Sequence, residues 1–187
     1  AIGYRYNEAT DKWNIGDAAA DYLYAGTKLL DFNLPGTLKV LVDHDAWLTA
    51  TDKEKYFPVF RFSSYHDSLM RSSSLNFIVF DVAQTGHWES MLGILKNDKT
   101  MVACVESTAV PSMLLLRRFF MEMMIHKITS PVVICVETFA KSIDEQLIHF
   151  SAEAGSLFLE GMGDGIWIWN NMQEVQNIKV SGRTYLE

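Results

Sequence analysis

Cysteine is scarce in this 187-residue chain, which has two, Cys104 and Cys135. Each stands inside an apolar run, MVACVE or VVICVE, where a strand is expected. Buried free thiols are therefore favoured over a disulfide. The sequence also lacks a Cys-x-x-Cys pair, an HExxH motif and a histidine cluster, so no structural zinc site is predicted.

Positive charge is also limited, with 16 Lys and Arg against 23 Asp and Glu and a net charge of −7. Nucleic acids and anionic membranes bind clustered Lys and Arg, so neither is expected as a partner. The apolar run Met113–Leu116 stops at Arg117, far short of the about 18 uninterrupted apolar residues of a membrane span. No secretory leader is recognisable, and the chain begins with Ala1 rather than methionine. We expect a cytoplasmic piece of a longer polypeptide.

From Leu38 onward, continuous apolar runs alternate with helical patterns. Continuous rather than alternating apolar character is typical of a parallel sheet that is covered on both faces. The predicted fold is therefore α/β, with strand–helix units forming either a doubly wound sheet or a barrel of fewer than eight strands. The predicted strands are Leu38–Asp43, Val59–Ser63, Leu75–Val82, Met101–Glu106, Val132–Glu137, Leu157–Glu160 and Ile166–Trp169.

Helix signals fill the gaps between these strands. Ser142 and Glu145 form a capping box, which predicts a helix that Gly155 ends. Pro111 opens a largely apolar helix that runs to about His126. Shorter helices are predicted at Asp45–Lys55, His66–Ser72, Gly86–Lys96 and Asp17–Ala25. Residues 1–35 are predicted to be a lead-in segment or connector, and residues 36–187 a single α/β domain.

Acidic residues stand where several predicted strands end. Carboxyl ends of parallel strands face one edge of the sheet, where active sites are built. An acidic mouth there could bind a divalent cation or a cationic substrate, although acids also favour helix starts for purely structural reasons. If the acids converge, each raises the pKa of the others. The candidates are Asp43, Asp81, Glu106, Glu137, Glu160 and Asp164.

The segment Gly155–Trp169 contains a glycine-rich turn, with Gly161, Gly163 and Gly165 around Asp164. It has neither the GxGxxG spacing nor a P-loop lysine, so ordinary tight-turn chemistry is favoured over phosphate binding. The tryptophans that follow, at 167 and 169, point to one face of a strand. Sealing a core or a domain contact is favoured for them over stacking on a ligand.

The run Ala152–Ile168, AEAGSLFLEGMGDGIWI, resembles a signature of the hydroxymethylbutenyl diphosphate synthase family. These are iron–sulfur enzymes of the non-mevalonate isoprenoid pathway. The similarity is greatest to the copy of this signature in the middle domain of plant-like, three-domain members. Upstream segments agree in order and spacing, namely Leu92–Val102, Leu115–Phe120 and Pro131–Glu137, so the resemblance covers about Asn76–Ile168.

The resemblance implies a TIM-barrel-like fold, here an incomplete or distorted barrel, inside an oxidoreductase that converts methylerythritol cyclodiphosphate to hydroxymethylbutenyl diphosphate. In the family, a [4Fe-4S] cluster is held by three cysteines and a glutamate of another domain, so no cofactor is expected in this chain. The implied partners are the catalytic barrel and the iron–sulfur domain of the same polypeptide. The family's related turn continues with an arginine and a serine that hold diphosphate, where this chain has Trp167 and Trp169.

Three functions follow from these patterns. The first is a non-catalytic structural or spacer domain of such an enzyme. The alternative is an independent, metal-dependent barrel enzyme that uses the carboxylates at the strand ends. The third is a regulatory insert that senses a metabolite at the same mouth.

Overall fold

The computed structural model describes residues 3–17, 19–32, 34–67, 69–170, 179–180 and 183–184. These residues fall into two compact units, one within Ala1–Phe57 and Met172–Glu187 and the other within Pro58–Asn171. Residues 1–35 include three of the strands given below, and their role as a connector stays a prediction. The predicted exit segment from Asn177 lies largely outside the described residues.

The described strands are β1 (Tyr4–Asn7), β2 (Lys12–Ile15), β3 (Tyr22–Tyr24), β4 (Lys39–Asp43), β5 (Tyr56–Arg61), β6 (Asn76–Asp81), β7 (Met101–Glu106), β8 (Val132–Thr138), β9 (Gly165–Asn170), β10 (Lys179–Val180) and β11 (Arg183–Thr184). The α-helices are α1 (His44–Thr49), α2 (Trp88–Asn97), α3 (Ser112–Ile125), α4 (Ile143–Phe150) and α5 (Ser156–Leu159). Short 3₁₀ turns cover Phe62–Ser64 and Thr85–His87, and a π-helical turn covers Ser151–Gly155.

The main sheet confirms the predicted α/β class. Its seven strands are parallel and lie in chain order, β3-β4-β5-β6-β7-β8-β9. A doubly wound sheet reverses its strand order at a switch point, whereas a barrel adds each strand beside the last. The strand order is therefore the one expected of an incomplete barrel.

In the first unit, the parallel strands β3 and β4 carry a small core. Val40 and Val42 are fully buried against Trp47, whose indole Nε1 donates a hydrogen bond to the carbonyl oxygen of Tyr56 (3.1 Å). The predicted helix at Asp17–Ala25 is wrong, because its Tyr-Leu-Tyr segment has high strand propensity and pairs with β4 as β3.

In the second unit, α2, α3, α4 and α5 pack on one face of β5–β8. Alternate strand residues, such as Ile78, Ala103 and Ile134, are fully buried in a core with Leu95 and Phe119 of the helices. Strand residues of the other parity point away from these helices, because successive side chains of a strand alternate between faces. We call this second surface of β5–β9 the far face.

The predicted strand Leu157–Glu160 is wrong, because the helix that begins at the capping box does not stop at Gly155. Gly155 has helical dihedrals (φ −60°, ψ −40°), and the chain continues through the π-helical turn into α5. Leu157 points into the core and is fully buried. A short apolar run fits a buried helix as well as a buried strand, and the hydrophobic pattern alone does not separate the two.

The glycine-rich turn is a helix-to-strand corner. The N–H of Gly161 donates to the carbonyl of Phe158 (3.0 Å) and the N–H of Met162 to that of Leu157 (2.8 Å), which is the Schellman arrangement. Gly161 has φ +74° and Gly163 φ +97°, conformations that glycine adopts without steric cost. The corner therefore ends α5 and starts β9.

The predicted helix at His66–Ser72 is also absent from the described residues there. The N–H of Ser72 donates to Asn76 Oδ1 (2.8 Å), and Asn76 Nδ2 donates to the carbonyl of Ser72 (2.8 Å). Such local bonds from polar side chains compete with helix formation. The capping box at Ser142 and the helix after Pro111 are both confirmed.

Candidate functional site

A cleft of about 840 Å³ lies in the second unit, where β7, β8 and β9 end. This volume falls within the range of small-molecule sites, about 300–1,000 Å³. The carboxyl edge is also the edge of a parallel sheet where ligands bind in α/β proteins. The charged and aromatic residues of its wall include Arg61, Glu106, Glu137, His149, Trp167 and Trp169.

Strand register brings these side chains together on the far face. Asp81 lies beside Glu106, Cys135 beside Trp167, and Glu137 beside Trp169. Neighbouring residues of parallel strands point to the same side of the sheet. The far face thus changes along its strands from apolar and thiol side chains to carboxylates and indoles at the carboxyl edge.

Glu106 has the most perturbed carboxyl group of the cleft. Burial raises its pKa, the guanidinium of Arg61 lowers it, and the carboxylates of Asp81 and Glu137 raise it further, with a net upward shift. Arg61 Nη1 lies 4.0 Å from Glu106 Oε1. Two of the other candidate acids, Asp81 and Glu137, are therefore close enough to Glu106 to raise its pKa.

Asp81 is held by hydrogen bonds from the loops that follow β6 and β7. Its Oδ1 accepts hydrogen bonds from the N–H of Ala83 (2.9 Å) and of Thr108 (3.2 Å), and its Oδ2 accepts one from Thr108 Oγ1 (2.7 Å). Burial acts to raise the pKa of Asp81, but these bonds outweigh it and the pKa is lowered. Asp81 therefore fixes the loop after β7 against the end of β6.

The other three candidate acids do not join this group. Asp164 Oδ2 accepts a hydrogen bond from the N–H of Val132 (2.8 Å), the first residue of β8, so it lies at the amino edge of the sheet. Glu160 follows α5 rather than a strand and forms an ion pair with Arg117. Asp43 ends β4 in the first unit and accepts a hydrogen bond from the hydroxyl of Tyr24 (2.6 Å).

The expectation that all six acids mark carboxyl ends is thus corrected for Glu160 and Asp164. The error came from the missed helix: when α5 is taken for a strand, the turn after it is assigned to the carboxyl edge. With α5 in place, the chain reaches the amino edge before β9 starts. The family turn residues, Gly161, Gly163, Asp164 and Gly165, accordingly lie on the side opposite the cleft.

The two tryptophans of β9 form one aromatic surface in the cleft wall. Their ring centroids are 6.3 Å apart and the rings are almost parallel, at 10°. Trp169 is 39% exposed, so it is not a core residue in the described structure.

Sequence reasoning missed three wall residues, Arg61, Ser112 and His149. Arg61 is the last residue of β5, whereas the predicted strand ran on to Ser63 and hid its terminal position. His149 Nε2 donates to the carbonyl oxygen of Glu137 (2.9 Å). Ser112 opens α3, and its Oγ is buried without a hydrogen-bond partner among the described residues. The hydrophobic periodicity of a sequence does not indicate contacts of this kind at the ends of strands and helices.

The cysteines are free thiols, as predicted. A hydrogen bond with Cys104 and burial raise the pKa of the Cys135 thiol well above its usual range. A [4Fe-4S] cluster is held by four ligands that are mostly cysteine thiolates, and the sequence has two cysteines, so these residues do not fit such a cluster. Among the described residues, no three His, Cys, Asp or Glu side chains form a group that could hold a metal ion.

The fold and the cleft define an α/β protein with a parallel, barrel-ordered sheet and a cavity at its carboxyl edge. In sequence, the chain is similar to the 4-hydroxy-3-methylbut-2-en-1-yl diphosphate synthase (flavodoxin) of Parabacteroides distasonis, with 27% identity over 150 residues. The match covers 80% of this chain and 24% of that enzyme, so the chain spans about a quarter of its relative's length. The match supports the predicted relationship to this family.

No family model matches the chain. No solved structure matches it either. Within the described part of the chain, none of the helices combines the length and the apolarity that crossing a membrane requires.

Proposed function

We propose that this chain is the middle domain of a three-domain hydroxymethylbutenyl diphosphate synthase and that it acts there as a spacer. The observation that carries the proposal is the extent of the sequence match, 80% of this chain but 24% of the relative. A segment of that size corresponds to one domain of a larger enzyme. The parent oxidoreductase of the non-mevalonate pathway would supply the remaining domains.

The side chains of the second unit support a role without chemistry on the diphosphate. Trp167 and Trp169 stand where the family turn carries an arginine and a serine. An indole has neither the positive charge nor the paired N–H donors with which arginine binds a phosphate group. The glycine turn itself forms a Schellman corner at the amino edge. Glu106 and Glu137 add negative charge to the cleft, and negative charge repels a diphosphate.

A spacer must hold its shape, and the second unit has the core for it. Ile78, Ala103, Ile134, Phe119 and Leu157 are each fully buried, and close-packed protein interiors have low compressibility and transmit strain. A rigid domain between a catalytic barrel and a cluster domain would set how the two approach. Placement of that kind controls rate, because small displacements of reacting groups are costly.

The test uses the polypeptide in which this chain occurs. Excising the 187 residues and joining the ends with a short flexible linker should lower turnover of the cyclic diphosphate by at least tenfold or change the oligomeric state. Adding the excised chain in trans should not restore activity, because a spacer acts only through its covalent position. Unchanged turnover with an unchanged oligomeric state would remove the spacer role, and rescue in trans would show that the domain supplies a site instead.

The metal-dependent alternative has less support, because in the described ranges no three suitable ligands converge. Titration with Mg²⁺, Mn²⁺ and Zn²⁺ examines it directly. A metal at a hundred times its dissociation constant would stabilise the chain by about 2.7 kcal/mol. We expect no such rise in the unfolding midpoint.

A further inference from the structure

The cleft at the carboxyl edge of β7–β9 has features that neither the spacer role nor the family signature explains. It is large enough for a small molecule, at about 840 Å³. A purely structural domain has no need of a half-exposed pair of indoles in such a cavity.

The charges in the wall select against anions. Arg61 contributes the positive charge, and its guanidinium lies 4.0 Å from the carboxylate of Glu106. Glu137 and Glu153 also line the cleft, so carboxylates outnumber the guanidinium by three to one. A phosphate entering the cavity meets more repulsion than attraction, whereas a cation meets the reverse.

The indoles select for an organic cation over a metal ion. The rings of Trp167 and Trp169 are nearly parallel and stacked, with their centroids 6.3 Å apart, along one side of the cleft. The electron-rich face of tryptophan attracts ammonium and guanidinium groups within about 6 Å of the ring. A hard divalent ion instead requires several converging oxygen ligands, and no such group is found among the described residues.

A hydroxyl in the wall lacks a protein partner. Ser112 lines the cleft, and its Oγ has almost no solvent exposure and makes no hydrogen bond within the described part of the chain. Buried hydroxyls are normally paired. Because this oxygen is not exposed in the cavity, an N–H donor of an alkylammonium or guanidinium head group would pair with it after the serine side chain rotates toward the cleft.

We infer that the cleft formed by Arg61, Glu106, Ser112, Trp167 and Trp169 binds a small organic cation with an ammonium or guanidinium group. The cation lies against the indole faces, and the carboxylates supply the counter-charge. This inference goes beyond the spacer role: it concerns the isolated chain, so its failure leaves the spacer role standing, and the reverse also holds.

The test is a binding titration of the 187-residue chain with L-argininamide and with choline, followed by tryptophan fluorescence and by calorimetry. Inorganic pyrophosphate is the anionic probe. We expect saturable binding of at least one of the two cations and none of pyrophosphate. Trp169→Ala and Glu106→Gln should each weaken the binding by about tenfold, while Trp13→Phe, which alters a tryptophan of β2 in the first unit, should leave it unchanged.

Circular dichroism and the denaturation midpoint establish that each variant is folded before its affinity is compared. Glu106→Gln is nearly isosteric and keeps the comparison valid if Trp169→Ala unfolds. The inference is overturned if neither cation binds saturably, if pyrophosphate binds more tightly than the cations, or if both cleft variants retain the affinity of the unaltered chain.

Discussion

Replacing Gly163 by alanine examines whether the glycine-rich turn is a packed helix-to-strand corner. Gly163 has φ +97°, well outside the left-handed well near +57° that other residues tolerate. Holding a non-glycine residue in such a region costs on the order of 1–3 kcal/mol. The backbone alone therefore disfavours the substitution.

Packing adds to this cost. An added Cβ would lie 3.0 Å from Ile134 Cδ1 and 3.1 Å from Phe158 Cε1. Ile134 is fully buried and has little room to move, whereas Phe158 is 36% exposed and can yield. With about 1 kcal/mol at the low end of overpacking, the free energy of unfolding should fall by about 2–4 kcal/mol.

Two other glycines provide matched controls. Gly161 has φ +74° but no atom within 4 Å of an added Cβ, so Gly161→Ala should lose about 1 kcal/mol for its backbone conformation alone. Gly93 lies within α2, and an added Cβ there also meets open space. Gly93→Ala should stabilise the chain by about 0.5–1 kcal/mol.

The assay is urea unfolding of the four proteins at one pH, followed by tryptophan fluorescence and circular dichroism, with stability taken from the midpoint and slope. The expected order of stability is Gly93→Ala, unaltered chain, Gly161→Ala and Gly163→Ala. A Gly163→Ala protein as stable as the unaltered chain, or more stable than Gly161→Ala, would refute the packed-corner account.

Three further predictions concern single contacts. Ser142→Ala removes the side-chain cap of α4 and should lower the free energy of unfolding by about 1 kcal/mol. The control, Ser151→Ala at an exposed position, should change it by less than about 0.5 kcal/mol, and equal losses would contradict the capping role. Asp81 has a lowered pKa, so its ionised carboxylate stabilises the fold above its ordinary pKa, and this stabilisation is lost as the pH falls. Asp81→Asn should therefore reduce the loss of unfolding free energy at acidic pH, and an unchanged loss would contradict this role of Asp81. Asn76 is fully buried with three hydrogen bonds of 2.8 Å, so Asn76→Ala should cost about 2–3 kcal/mol in urea unfolding, and a loss under about 0.5 kcal/mol would show that these bonds are not stabilising.

Strands with a strong, continuous apolar pattern could be predicted from sequence. Met101–Glu106 matches β7 at both ends, β6 is one residue shorter than predicted at each end, and β8 starts at the predicted residue and ends one residue later. The capping box at Ser142 located the start of α4, because its two reciprocal bonds require particular residue types three positions apart. These signals depend on residues that are close in the sequence, so tertiary packing does not change the elements that they predict.

The segment Ser156–Leu159 could not be assigned in this way. Four residues with three large apolar side chains satisfy a buried strand and a buried helix turn alike. The pattern predicts that Gly155 ends the helix, but a glycine C-cap has a positive φ, and here the residue at positive φ is Gly161. Which glycine takes that conformation is decided by Leu157 packing in the core, a tertiary contact.

The acidic residues of the candidate site could be predicted from sequence, whereas other wall residues could not. Glu106 is the last residue of β7 and Glu137 the last but one of β8, so the parallel sheet brings them to one edge. Arg61 and Ser112 became wall residues through the end of β5 and the start of α3, boundaries that a pattern locates to within a few residues.

The corner between α5 and β9 bears on how chains of this kind are recognised. The first two glycines of GMGDG have positive φ, and the second also lies close to Ile134, so a comparison that rewards these letters detects shared architecture. An activity assigned to another protein because of these five letters would therefore rest on a structural turn. The cleft proposed to bind small molecules lies at the opposite end of the strands.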